Sequence, residues 1–126
     1  MRTLRVLLLL LPFAVGGCSG STDTGTVDDV RLEAPANLAA ERIGLTSIRL
    51  TWEDVAVGEE AFAVERHRGS GAFAPILFVP PNATQAVDSL GLFVDSTYVY
   101  RVRAFRYVKS SGYSNAVTIQ FTRPYP

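Results

Sequence analysis

Few side chains in this 126-residue sequence carry chemistry on their own. There is one cysteine, Cys18, and one histidine, His67. His67 lies between Arg66 and Arg68, and a zinc site needs three or four ligands. With a single imidazole and a single thiol, those ligands would be mostly carboxylates, so His67 is read as a polar residue at a strand end. Glu53-Asp54 and Glu59-Glu60 place four carboxylates within eight residues. Oxygen ligands suit calcium, yet the Asp-x-Asp-x-Asp-Gly spacing of a dedicated loop is missing. Acid/base work on a glycoside would need a cleft between two carboxylates, and a domain this small has little surface left to build one. The four are read as a solvated acidic loop. Ser114 and the other serines have no His–Asp partners that spacing supports. Gly69-Ser70-Gly71 joins two strands and opens no helix, so it cradles no phosphate. No catalytic residue, metal site or cofactor is therefore expected.

What remains is recognition chemistry. Arg101 and Arg103, with Glu65 on a neighbouring strand, form a charged ladder on an outer sheet face. Such cross-strand pairs contribute roughly 0.2–1 kcal/mol each. Phe105 and Tyr107 continue the outward register, and Phe73, Phe78 and Phe93 fall in loop or edge regions. If several of these aromatics are exposed together, they mark an interface. Twelve basic and twelve acidic residues balance to zero net charge, which points to neither nucleic acid nor an anionic membrane surface as partner. The length allows one domain. One cysteine rules out an intramolecular disulfide, so the core must hold by packing.

The N-terminus reads as an address. Arg2 and Arg5 precede an uninterrupted apolar run, Val6 to Leu11, continued by Phe13, Ala14 and Val15. That is short of the ~20 residues a membrane-spanning helix needs and fits a signal-peptide core. It ends in Val15-Gly16-Gly17-Cys18, which resembles the lipobox of bacterial lipoproteins, with Val where Leu is commoner. The resemblance implies cleavage between Gly17 and Cys18, diacylglycerol on the Cys18 thiol and acylation of the new amine. Ser19 stands where Asp would retain such a protein at an inner membrane, so the outer membrane is the expected site. Ordinary secretion, with cleavage elsewhere, is the alternative. Residues 18–33 are small, polar and acidic, and are read as a tether.

From about residue 35 the hydrophobic period is two, not 3.6. Ile48, Leu50 and Trp52 share one face; Phe62 and Val64 share another. Tyr98, Tyr100, Val102 and Ala104 alternate with Arg101 and Arg103. Val117, Ile119 and Phe121 form the last stripe. Turn signals at Val57-Gly58, Gly69-Ser70-Gly71, Pro80-Pro81-Asn82 and Ser111-Gly112 separate the runs. The pattern predicts an all-β, antiparallel β-sandwich over residues 34–123.

These residues resemble the fibronectin type III domain. Pro35-Ala36-Asn37-Leu38 looks like the first strand, Ile48-x-Leu50-x-Trp52 like the second with its core Trp, and Phe62-Ala63-Val64 like the third. Leu92, six residues before Tyr98, followed by Tyr100-Arg101-Val102-Arg103-Ala104, looks like the strand-F corner, although Val94 stands where the family often has Pro. Tyr113-Ser114 fits the start of the last strand. The resemblance implies seven strands in an immunoglobulin-like sandwich. Its core would include Trp52, Phe62, Leu92, Tyr98, Tyr100 and Val102, and the Tyr98 hydroxyl would bond backbone at the corner. The Arg-Gly-Asp tripeptide of some family members is absent.

The expected function is a non-enzymatic cell-envelope lipoprotein. It presents a binding or adhesion module to an unidentified partner, a protein or a glycan. A structural or accessory subunit of a larger envelope or secretion complex, and a carbohydrate-associated accessory domain, are the alternatives.

Overall fold

The computed structural model describes residues 30–123. The expected signal peptide, the expected cleavage and lipidation at Gly17/Cys18, and the expected tether up to residue 29 lie outside the described residues. Alternation sets the strands: β1 (Ala36–Arg42), β2 (Ile48–Glu53), β3 (Ala61–Arg68), β4 (Ala74–Val79), β5 (Gln85–Asp88), β6 (Ser96–Arg106), β7 (Lys109–Ser110) and β8 (Val117–Phe121). One sheet has the order β1-β2-β5. The other runs β4-β3-β6-β7, with β8 also paired to β6. Every pairing is antiparallel. The count is eight, not seven. The chain turns back on itself after Arg106, and β7 pairs Phe105 with Ser110 and Arg106 with Lys109 before the last strand begins.

Apolar stripes from the two sheets meet in the middle. Ile48, Leu50 and Trp52 of β2 face Phe62 and Val64 of β3, Tyr98, Tyr100, Val102 and Ala104 of β6, and Phe121 of β8, all buried. Leu92 is half-buried and packs against this cluster from the β5–β6 loop. It supports the corner from the side. There the Tyr98 hydroxyl accepts the Phe93 N–H at 2.7 Å. Asp95, with a left-handed φ of 62°, swings the chain so that its N–H reaches the Phe121 carbonyl.

Contacts with the sandwich are made already by residues before 34. Arg31 and Val57 exchange both backbone hydrogen bonds at 2.8 Å, and Leu32 packs on the core. The polar composition of residues 19–29 does not extend through Val30 and Leu32, whose side chains have apolar area to bury. Gly58, at φ 83°, permits this approach, because a Cβ there would come within 3.1 Å of the Val30 side chain.

The last strand also starts late, at Val117 rather than Tyr113. Ser111 and Ser114 occupy β6 differently from a regular strand. Each takes a β6 carbonyl with its N–H (Ala104 and Val102, both 2.8 Å) and offers its hydroxyl to the N–H of the same residue, at 2.9 and 3.0 Å. Each hydroxyl then donates to the following residue's carbonyl. Asn115 closes the gap to the other sheet: its side-chain amide accepts from the Leu38 N–H at 2.8 Å and donates to the Leu38 carbonyl at 3.0 Å. Backbone groups left over by the irregular segment are thereby satisfied.

A charged group crosses the core at the Asp88 end. The Asp88 side chain is fully buried on β5. Its carboxylate accepts from Arg66 Nη1 at 2.7 Å, from the Tyr100 hydroxyl at 2.7 Å and from the Leu90 N–H at 2.9 Å. Arg66 also reaches the Leu90 carbonyl at 2.9 Å and lies 5.2 Å over the Tyr98 ring. Burial and the Asp88 hydrogen bond and charge push the Tyr100 hydroxyl far above its ordinary range.

Two outcomes follow for stability. Tyr98→Phe removes the acceptor of the Phe93 N–H and should lower stability by about 1 kcal/mol or more, read as a lower denaturant midpoint with an unchanged slope. Tyr100 titrates near 10 when unfolded and higher when folded. The contribution it makes is complete below about pH 10 and declines as pH rises toward the folded value. Unfolding midpoints should therefore fall above about pH 10, and Tyr100→Phe should flatten that dependence.

Candidate binding surface

The outward face of the β3–β6 pair is where the expected charged ladder falls. Glu65 lies directly opposite Arg101, and Ala63 opposite Arg103. Glu65 is only 4% exposed, although it faces outward. Its Oε1 accepts from Arg101 Nε and Nη2, at 2.9 and 2.8 Å, and its Oε2 accepts from the Tyr113 hydroxyl at 3.1 Å. Arg103 Nη2 stands 3.6 Å from Oε2. The Arg101 guanidinium lies between two rings, 3.9 Å from the Phe73 centroid and 3.5 Å from that of Tyr113. This exceeds a solvated ladder: the aromatics cover the ion pair, and the pair anchors the loops that carry the aromatics. Phe73 also meets His67 edge-on at 4.5 Å. His67 is half-buried and its Nδ1 has no protein partner.

Beside this cluster runs a groove of about 240 Å³ between Pro75 and Phe78 of β4 and the β6–β7 hairpin. Its floor is Ala63, Glu65 and Phe105. Phe78 is exposed and meets Phe105 at 5.8 Å with an interplanar angle of 84°. Rings so inclined make a notch, not the flat platform on which a sugar ring stacks.

The acidic segment is not the solvated loop its composition suggests. The Asp54 Oδ1 accepts the Ala56 N–H at 3.0 Å, Glu59 Oε1 the Asn82 N–H at 2.9 Å, and Glu60 Oε2 the Tyr107 N–H at 2.8 Å. Glu59 is buried. Partial burial raises the Asp54 carboxyl above its ordinary value, the Ala56 N–H pulls it down, and the Glu59 charge raises it further. The carboxylates of Asp54, Glu59 and Glu60 each serve a backbone amide of a different connection: β2–β3 itself, β4–β5 and the hairpin. Asp54 and Glu59 stay close enough to act on one another, and Glu53 is exposed. Among the described residues, no three His, Cys, Asp or Glu side chains are grouped to hold a metal. The Ser114 hydroxyl is consumed by backbone bonding.

Exposed apolar side chains sit at the two ends. Where β6 starts, the β1–β2 and β5–β6 loops carry Leu45, Leu90, Phe93 and Val94, with Arg68 over the Phe93 ring at 4.8 Å. The two loops are neighbours because Ile48 pairs with Asp88. Where β6 ends, the hairpin turn carries Tyr107 and Val108. Phe93 and Tyr107 were among the aromatics named from the sequence, but periodicity could not find Leu45, Leu90, Val94 or Val108, since loop residues have no period. Asp88 and Arg66 were equally hidden, because a lone charge on an inward-facing position reads as a break in the pattern.

No protein-family model and no curated protein matches the sequence. Solved structures do. The third fibronectin III domain of the human KIAA0343 protein superposes with a TM-score of 0.64 at 17% identity, covering 87% of this chain and 97% of that one. The chicken CNTN1 FN1–FN3 domains give 0.65 at 15% identity, over 75% of this chain and 32% of that one. A β-1,2-glucanase from Parabacteroides distasonis gives 0.66 at 22% identity, over 81% of this chain but 14% of the enzyme. Identities this low speak to fold alone. The described residues form a fibronectin type III-like β-sandwich.

The stacked arginine supplies a test of the face. Lys in place of Arg101 keeps the charge but loses the planar surface held between Phe73 and Tyr113 and the two-pronged bond to Glu65. Arg101→Lys should lower stability by roughly 1 kcal/mol, measured by denaturant melting, whereas Arg49→Lys, with no comparable stacking, should change it far less.

Proposed function

We propose that this chain is a non-catalytic, lipid-anchored cell-envelope protein that holds a fibronectin type III-like module for binding a protein partner. The observation that supports the binding surface is the set of exposed apolar side chains Leu45, Leu90, Phe93 and Val94 on adjoining loops. They lie at the end of the sandwich opposite Val30, since β1 starts and β6 finishes at the other end. A chain fastened through Cys18 therefore presents that end away from its anchor. Apolar loop side chains with an arginine-stacked aromatic suit a protein surface better than a sugar. The lipobox resemblance at Val15-Gly16-Gly17-Cys18 supports the anchor.

Crosslinked pull-down from intact envelope tests both parts. Leu90→Ser combined with Phe93→Ser should abolish capture of partners recovered with the unaltered protein while leaving the melting midpoint close to its original value. Cys18→Ser should reduce capture by releasing the chain from the membrane. Equal recovery with the loop variant would remove the loop end as the binding surface. Equal recovery with Cys18→Ser would show that the anchor does not bring the partners together.

A further inference from the structure

We infer that the tip of the β6–β7 hairpin, Tyr107-Val108, is a second contact with the phospholipid bilayer that holds the anchor. This rests on the reading of Cys18 as lipidated.

The tip is anomalous as a turn. Two-residue hairpin turns favour Asn-Gly, Asp-Gly or Gly-x, because their backbone needs positive φ. Here Tyr107 takes φ 52°, and a β-branched valine follows it. Bulky residues rarely adopt that conformation, and where they persist the surroundings hold them there. Both residues also stand in solvent, with Tyr107 74% and Val108 98% exposed. Turn chemistry and solvation would each select other side chains, so a requirement outside the fold explains the pair. Nor is the tip loose. The Glu60 carboxylate holds the Tyr107 N–H, and the Arg106 guanidinium bonds the Gly58 carbonyl at 3.0 Å and lies 5.4 Å over the Tyr107 ring.

Its position names the occupant. Val30 and Leu32 line one hollow together with Tyr107, Val108 and Lys109, so the described chain begins beside the tip. Eleven residues, 19–29, separate Val30 from Cys18. Twelve peptide steps span at most ~40 Å, and the opposite end lies a further ~35 Å away along the eleven residues of β6. The hairpin end is thus the end joined to the anchor, and at the ~20 Å typical of a linker that long it lies nearer the bilayer than the opposite end. A tyrosine suits the boundary between headgroups and acyl chains, and the valine offers an apolar point. The long stem of Lys109 lets its charge stay among headgroups. Without Arg2 and Arg5 the mature chain has 10 basic against 12 acidic residues, so burial of the tip rather than long-range attraction provides the contact.

The test uses the mature acylated protein in vesicles of phosphatidylethanolamine and phosphatidylglycerol. With Cys18 blocked by lipid, Lys109→Cys or Leu45→Cys supplies the sole thiol for an environment-sensitive dye. Nitroxide-bearing lipids should quench the dye at position 109 several-fold more than at 45. Replacing the turn by Tyr107→Asn with Val108→Gly should bring position 109 down to the level of 45, while the melting midpoint stays equal or rises, because the new turn suits the backbone. Quenching that is the same at both positions, or that survives the turn replacement, overturns the hairpin contact and leaves the anchor standing if mass spectrometry shows acyl chains on Cys18. A mass without acyl chains overturns the anchor and the hairpin contact with it.

Discussion

The register of β3 against β6 is the constraint from which the rest of the structure follows. Eight consecutive residue pairs, Ala61 with Phe105 through Arg68 with Tyr98, lock the two central strands. One face of that ladder supplies Phe62, Val64, Tyr98, Tyr100, Val102 and Ala104 to the core. The opposite face sets Glu65 against Arg101. A slip of one residue would carry every one of these side chains to the wrong face. It would place arginines in the core and take Tyr98 away from the Phe93 N–H. The same register fixes where β6 ends, and so where the hairpin tip projects.

Asp88, Glu65 and Glu59 are withdrawn from water in this frame, and the first two are each matched by more than one donor. Asp88 takes bonds from Arg66, Tyr100 and the Leu90 amide. Glu65 takes them from Arg101 and Tyr113, with Arg103 nearby. A buried ion pair often gives little net stability, since desolvation offsets attraction. Removing one partner is costly all the same, because the other is left buried and uncompensated. These clusters therefore specify arrangement more than they add stability. Asp88 joins the three-stranded sheet to the central strands of the other. Glu65 fixes the loops that bear Phe73 and Tyr113.

The sandwich has two unlike ends, and they give the molecule a direction. One end gathers the start of the described chain, the acidic segment and the hairpin; the other carries Leu45, Leu90, Phe93 and Val94. The acidic segment stiffens the first end, since Glu59 and Glu60 hold amides of the β4–β5 connection and of the hairpin. A shared fold does not select a ligand.

The sequence by itself determined the inward faces of β2, β3, β6 and β8, and its family resemblance pointed to the corner; β4, β5 and β7 were not read from it. Alternation is a local property, and burial of one face is what it records. Ile48-x-Leu50-x-Trp52 and Tyr98-x-Tyr100-x-Val102 could be read without coordinates, as could the spacing of Leu92 and Tyr98. The opposition of Glu65 to Arg101 was legible too, because two period-two strands that pair leave few registers. Tertiary structure decided what depends on contacts far apart in sequence. Asp88 meets Arg66 across 22 positions and Asn115 meets Leu38 across 77, and neither pair leaves a local trace. The extra strand β7 arose from a turn with unfavourable residues, which turn rules do not anticipate. Four clustered acids looked like one solvated loop, but Asp54, Glu59 and Glu60 each accept from a different backbone amide. Only the folded chain brings those amides within reach, and a buried N–H without an acceptor is costly enough to decide where each carboxylate goes.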